Sequence, residues 1–259
     1  MDVNAMSEVV RSAARVLDLL EFFAEHDASH SLVDIATRFG LPKSSALGLL
    51  RTLCARGYVI RNENGHYAMN AAFRAHGFGW GGDTLAHIVA VATPLMTELA
   101  AELGESVLLG ALQEQGSLRI LNQARSSQPI RYEAKPSQHF PAYCTAMGRA
   151  MLSMMPETRR RAVLAKLPLV ALTPFTLTKP ADINARIKQA ALDGYCVVEE
   201  ECERGGTGMA MAIRDRSGAP VAALNVAFVS TRFAEKRELA IAALGAKVGT
   251  IHAALGFQP

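Results

Sequence analysis

The tightest constraint on this chain lies between Phe39 and Lys43, where one helix must end and another begin within Gly40-Leu41-Pro42. Gly40 supplies the position after a helix end that favours a left-handed backbone. Pro42, with its φ fixed and no N–H, suits the opening of the next helix. Upstream, Ser31 is placed to cap a short helix over Leu32 to Phe39, with Asp34 in the first turn where the dipole favours an anion. Downstream, Ala46, Leu49, Leu50 and Leu53 form one apolar stripe and leave Ser44, Ser45, Gly48, Arg51 and Thr52 outside it. Ser44 and Ser45 are expected to satisfy the free amides of this helix, and Gly57 to end it. Tyr58–Arg61 is β-rich, Asn64-Gly65 is a hairpin turn, and His66–Met69 is a returning strand. An earlier helix is expected from Ser7, its cap, to Ala24. Its stripe is Val10, Ala13, Leu17, Leu20 and Ala24, widened by Val16 and Phe23, and the polar segment His26–His30 breaks the pattern. Three helices with a tight second turn, followed by a hairpin, describe a winged helix-turn-helix over residues 1–70.

A helix of this kind fits the major groove of DNA, and its first-turn amides and hydroxyls can hold a phosphate. Charge points the same way. Ser29–Asn70 holds five Lys/Arg against two Asp/Glu, although the whole chain carries a net charge of only +3. The residues expected to contact double-stranded operator DNA are Lys43, Ser44, Ser45, Arg51 and Arg61. A winged helix used only for protein contacts is the alternative.

Other classes are disfavoured by what the sequence lacks. No uninterrupted apolar run approaches the ~18–20 residues that span a bilayer, so no membrane partner is expected. Met1 to Ser7 offers neither the basic flank nor the apolar core of a signal peptide. Cytoplasm is the expected location. Cys54, Cys144, Cys196 and Cys202 show no metal-knuckle spacing and read as reduced thiols. Neither a metal nor a cofactor is expected.

After Asn70 the run Gly77-Phe78-Gly79-Trp80-Gly81-Gly82 marks a linker, assigned to residues 71–83. A helix follows over His87 to Leu103, with Pro94 expected to kink it or begin a new one. Residues 84–259 read as a second domain. Strands are expected at Ser106–Leu112, Leu118–Ala124, Ile130–Tyr132, Tyr195–Val198, Met209–Arg214 and Val221–Phe228. Helices are expected at Ala146–Met155, Glu157–Leu167, Ala181–Leu192 and Ala234–Leu255, with a hairpin turn at Asp215–Gly218. Strands paired mostly through hairpins, with helices packed outside, argue for an α+β fold with a mainly antiparallel sheet.

The run LPKSSALGLLRTLCARGYVIRNENGHYAMN at 41–70 resembles the IclR family of bacterial transcription regulators. So do FPAYCTAMGRAMLSMMP at 140–156, LTPFTLTKP at 172–180, DGYCVVEEECERG at 193–205, and the final strand plus helix. These blocks keep the family's order and spacing over almost the whole chain. Tyr143-Cys144-Thr145 and Ala146-Met147-Gly148-Arg149 look like the branch that senses aromatic acids such as protocatechuate and hydroxybenzoate. The resemblance implies an N-terminal winged helix-turn-helix joined by a linker helix to a GAF-like effector-binding domain. It also implies a homodimer or tetramer, with operator DNA, a small organic acid and RNA polymerase as candidate partners. Relatives commonly carry His or Arg where Leu47 stands and Arg where Gly48 stands, so base readout here rests more on Ser44, Ser45, Arg51 and the wing.

Family pocket positions fall on Ala146 and Met147, Val198, Gly208, Asn225 and Ala227. Relatives often present Asp, Cys and two Ser or Thr at the last four, so this pocket is less polar and suits a ring. Thr145 as N-cap, with the free amides after it, makes an anion site, and Arg131 or Asn225 could supply a side-chain donor. The ring of a bound acid would rest on Met147, Met209 and Val198. Two other readings stay open. A cysteine-dependent enzyme would use Cys144 at the helix start, His139 as base and Glu199–Glu201 to orient it, although three such acids more often form a solvated face. A winged-helix adaptor would have no ligand at all. Gly205-Gly206-Thr207-Gly208 precedes a strand and opens no helix, so phosphate cradling is not expected.

Overall fold

A computed structural model describes residues 10–71, 73, 84–135 and 138–257. The chain divides into two compact units, residues 1–90 and 91–259. The expected Ser7 cap and the glycine-rich stretch at 77–82 lie outside the described residues.

In the first unit, α1 (Arg11–Glu25) buries Leu19, Leu20, Phe22 and Phe23. Of the expected stripe, Leu20 and Phe23 are buried and Val16 partly so, while Leu19 and Phe22 replace Val10, Ala13, Leu17 and Ala24 in the core. Val10 and Leu17 remain 66% and 51% exposed. The expected and observed faces share Leu20 and Phe23, and the large aromatic areas of Phe22 and Phe23 turn the helix toward the core. Helix α2 (Leu32–Arg38) opens on a full capping box. The Asp34 amide donates to Ser31 Oγ and the Ser31 amide to Asp34 Oδ2, both at 3.1 Å. Gly40 then takes φ +58°. Helix α3 (Lys43–Ala55) starts from Pro42 without a side-chain cap, so the capping expected of Ser44 and Ser45 is not made. Both serines lie inside the first turn, where Pro42 holds the capping position.

Strands β1 (Val59–Arg61) and β2 (Tyr67–Met69) pair antiparallel with Ile60 opposite Ala68. Their turn uses Gly65 alone in the left-handed region, at φ +79°, while Asn64 keeps a negative φ. Asn62 Oδ1 closes it by accepting from the His66 amide at 2.9 Å. His30, unassigned from sequence, exchanges two backbone bonds of 2.8 Å with Tyr67 and adds a bridge to the wing. Helix α4 (Thr84–Leu103) runs through Pro94 as one helix, so Pro94 does not begin a new one. A proline here removes the bond to the carbonyl four residues back, which is that of Ala90. Asn70 Nδ2 donates to that carbonyl at 2.8 Å and also to Gly57 O at 3.0 Å.

The second unit is built on a six-stranded antiparallel sheet. Its strands are β3 (Ser106–Leu112), β4 (Ser117–Ala124), β5 (Phe140–Pro141), β6 (Cys196–Glu199), β7 (Gly206–Arg214) and β8 (Pro220–Val229), ordered β5-β4-β3-β8-β7-β6. Ile130–Tyr132 is irregular and not a strand. Side chains hold that segment, with Ser106 Oγ donating to Tyr132 O at 2.7 Å. The β7–β8 hairpin closes at Asp215–Gly218 as expected, with Gly218 at φ +84°.

Antiparallel register places Val198, Gly208 and Ala227 in one cross-strand row and Asn225 beside Leu108 and Ala210 in the next. Helix α5 (Ala146–Ser153) crosses this face, α6 (Glu157–Leu164) follows it, and α7 (Pro180–Asp193) packs against α5. The opposite face is covered by α8 (Phe233–Leu255), which lays Ala240, Leu244, Val248 and Ile251 against β7 and β8. The segments Leu85–Leu103 and Ser230–Leu255 are long and apolar enough to cross a bilayer, which uninterrupted apolar runs did not reveal. In α8 that apolar length serves packing on the sheet.

Candidate nucleic-acid face and effector cavity

The outward side of α3 is the face left over once Ala46, Leu50 and Leu53 are buried. It exposes Lys43, Ser44, Ser45, Gly48, Arg51 and Thr52. Among the described residues, no ion pair engages Lys43 or Arg51. Thr52 Oγ1 turns back to donate to Gly48 O at 3.0 Å, which directs its methyl outward. Arg61 lies along the wing. Its Nε donates to Gly65 O at 3.3 Å and its guanidinium sits 5.8 Å from the centre of the Tyr67 ring. The face thus carries two unpaired cations, two hydroxyls and one bare glycine.

In the second unit a cavity of about 60 Å³ opens between the start of α5 and the sheet. Thr145 caps α5, accepting from the Gly148 amide at 3.3 Å while its own hydroxyl donates to Pro141 O at 3.1 Å. The amides of Ala146 and Met147, among the described residues, meet no acceptor. On the facing strand Asn225 is only 4% exposed, and its amide has no hydrogen-bond partner among the described residues. Its amide lines the cavity, where it can bond a ligand or water. Small residues keep α5 close to the sheet. A Cβ on Gly208 would lie 3.0 Å from Asn225 Oδ1 and 3.2 Å from the Ala146 Cβ, and one on Gly110 only 2.9 Å from Met147 Sδ.

Thr145, Ala146, Met147, Val198, Gly208, Asn225 and Ala227 all line the cavity. Two other residues expected there do not. Met209 follows Gly208 along β7, so the alternation of a strand turns it to the opposite face. Arg131 is exposed and ion-paired with Glu133 at 3.6 Å, outside the lining. Sequence reading missed Leu108, Tyr132, Phe140, Cys144, Cys202 and Glu203 as lining residues. Chain separation hides Tyr132, Cys202 and Glu203, because the loops after β4 and β6 reach the site from far along the sequence. Glu203 accepts from Gln138 Nε2 at 2.7 Å. Burial, reinforced by the Glu203 charge, raises the Tyr132 hydroxyl far above its ordinary range. Among the described residues, no Lys or Arg lines the cavity.

The acidic run is not a solvated face throughout. Glu201 is buried and grips the fully buried Arg149 through two bonds of 2.6 Å, while Leu177 N donates to it at 3.0 Å. Arg149 Nε completes the cluster by donating to Tyr143 O at 2.7 Å. His139 is exposed and is not among the cavity residues, which leaves Cys144 without the base an enzyme reading requires.

A winged helix-turn-helix with a cationic helix face, followed by an antiparallel α/β unit with a mainly apolar cavity beside a helix start, is the architecture of a DNA-binding regulator with an effector domain. The family description "Bacterial transcriptional regulator IclR C-terminal" matches residues 84–251, and "IclR helix-turn-helix domain" matches residues 12–63. The chain belongs to the IclR family of transcriptional regulators and is not an enzyme. It is 31% identical to the acetate operon repressor of Salmonella typhimurium over 92% of this chain and 86% of that protein. It is 30% identical to the Pca regulon regulatory protein of Pseudomonas putida over 85% of this chain and 74% of that protein. The crystal structure of an IclR homologue from Microbacterium hydrocarbonoxydans, complexed with 4-hydroxybenzoate, superposes with a TM-score of 0.61 at 23% identity, covering 94% of this chain and 98% of that one.

Proposed function

We propose that this regulator senses a small aromatic acid in the α5–sheet cavity and controls catabolic genes through the α3 face. The unpartnered Asn225 amide opposite the open Ala146 and Met147 amides carries the reading. A carboxylate fits between these donors, where a helix start stabilises an anion by up to about 1 kcal/mol. The remaining walls, Leu108, Phe140, Val198 and Ala227, are apolar and suit a ring. The two relatives named above pull in different directions, one from an acetate operon and one from the Pca regulon, and the apolar walls favour the second. A cavity of about 60 Å³ is smaller than the ~150 Å³ that takes up benzene. Ring entry therefore requires the unbranched Met147 side chain, now packed over Gly110, to move aside.

Thermal unfolding with 4-hydroxybenzoate, protocatechuate and acetate tests this. A ligand at ~100 times its Kd adds about 2.7 kcal/mol. Stabilisation by a ring acid, abolished by Gly208→Leu while operator binding persists, is the expected result. Stabilisation by acetate alone would overturn the aromatic reading. On DNA, Lys43, Ser44, Ser45 and Arg51 take phosphates and base edges, and Arg61 adds a wing contact. The exposed apolar residues Val10, at the start of α1, and Leu17 on it fit a homo-oligomer. Sedimentation of a monomer at micromolar concentration would refute the oligomer.

A further inference from the structure

Two cysteines stand in the wall of the same cavity, and neither DNA binding nor effector recognition uses them. Cys144 precedes the Thr145 cap, is fully buried and lines the cavity. Cys202 is half-buried on the turn between β6 and β7 and packs against the cluster that contains Cys144. Both thiols thus face the same cavity, and Cys144 Sγ donates to Pro141 O at 3.8 Å. The turn that carries Cys202 holds Glu200 at φ +55°, a conformation non-glycine residues rarely adopt. It is kept there by hydrogen bonds from Gly205 N (3.0 Å) and Thr173 Oγ1 (2.7 Å) to Glu200. We propose that Cys144 and Cys202 are the attacking and resolving thiols of a hydroperoxide-responsive disulfide built into the cavity wall.

The chemistry is asymmetric in the required sense. The neighbouring Cys202 thiol lowers the Cys144 pKa against the opposing effect of burial, and the nearby Arg149 charge helps. Cys202 is raised in turn, by Cys144 and by burial. The Cys144 thiolate attacks one oxygen of a small hydroperoxide. The O–O bond breaks, the leaving oxygen departs as water or an alcohol after taking a proton, and Cys144 becomes a sulfenic acid. The Cys202 sulfur then attacks the Cys144 sulfur. Its proton leaves with the sulfenic hydroxyl as water, and the two electrons lost by the thiol pair have reduced the peroxide. Cys196, buried on β6 with its thiol pushed up to about 12 by burial, and Cys54, raised by burial in the first unit, stay reduced. The new bond ties the β6–β7 turn to the start of α5.

Treating the purified full chain with equimolar hydrogen peroxide, then alkylating it under denaturing conditions, tests the proposal. The expected product is a Cys144–Cys202 cross-linked peptide, an intact mass lower by about 2 Da for the two hydrogens lost in disulfide formation, and full reversal by dithiothreitol. Amide exchange over residues 199–206 should slow on oxidation and recover on reduction. In Cys202→Ser, dimedone should trap the sulfenic acid on Cys144. In Cys144→Ser, neither cross-link nor dimedone adduct should form. Oxidation of Cys144 to sulfinic acid without a cross-link, earlier reaction of Cys54 or Cys196, or unchanged exchange in the cross-linked protein would each overturn it. These readouts need no effector, so their failure is distinct from failure of the aromatic-acid reading.

Discussion

Arg51 and two glycines show how much a single position can carry. Arg51 projects from α3 with no intramolecular partner among the described residues. Arg51→Ala should weaken operator binding by about 1–3 kcal/mol and relax one base position if the side chain reads a base. If it touches phosphate, the loss should be equal on all sequences and the salt slope should fall by about one. Unchanged affinity at low salt would remove Arg51 from the interface. Gly48 and Gly148 both sit inside helices but respond oppositely to a methyl group. A Cβ at Gly48 meets nothing within 4 Å, so Gly48→Ala should raise the stability of the free protein by roughly 0.5–1 kcal/mol through helix propensity. A Cβ at Gly148 would lie 2.3 Å from Ala142 O. Gly148→Ala should cost about 1–3 kcal/mol or more, because backbone on both sides must shift. Denaturant unfolding of the two variants reads both signs.

Helix α5 owes its position to the close backbone contact at Gly148 and to the charge partner of Arg149. Arg149 and Glu201 are both buried, so removing one leaves the other's charge unpaired in the interior. Glu201→Gln should destabilise the effector unit by up to about 3–5 kcal/mol. Pairing Arg149→Met with Glu201→Leu should recover only part of that. The apolar pair leaves Tyr143 O and Leu177 N without the partners they have now. A double variant as stable as the wild type would show that those backbone groups find other partners. Helix α4 depends on Asn70 in a comparable way, since Asn70 supplies the donor that Pro94 cannot give to Ala90.

Across the effector unit, acid stability should reflect Glu105. This carboxylate is fully buried and held by Arg232 at 2.6 Å and Lys236 at 2.9 Å. Burial raises its pKa, but the hydrogen bonds and charges of Arg232 and Lys236 outweigh that and leave it below the ordinary glutamate value. A lowered native pKa stabilises the fold above the unfolded value of about 4.3 and ceases to do so as pH falls through the native one. Urea unfolding followed from pH 7 toward pH 3 should therefore show stability falling in the acid range. Glu105→Gln should be less stable at pH 7 and should show a flatter acid limb. An identical acid limb in the variant would place the proton uptake elsewhere.

Much of this was legible in the sequence, because it depends on neighbours along the chain. Helix stops such as Gly40, the Ser31–Asp34 box, the exposed face of α3 and the alternation of β7 and β8 are local, and the cap at Thr145 needs only the three residues that follow it. Misplaced features depended on distant partners. The rotation of α1 was set by what Phe22 and Phe23 could bury against, not by the regularity of its own stripe. Pro94 stays within its helix because Asn70 completes Ala90 from outside it, and Glu201 is buried because Arg149 awaits it. Met209 was misassigned to the cavity because sequence proximity to Gly208 is not proximity across a pleated strand. Cys202 and Glu203 join the cavity because the turn between two adjacent strands folds over the start of a helix more than fifty residues earlier. Periodicity and capping are short-range effects, whereas burial and charge pairing are settled only when the sheet brings remote segments together.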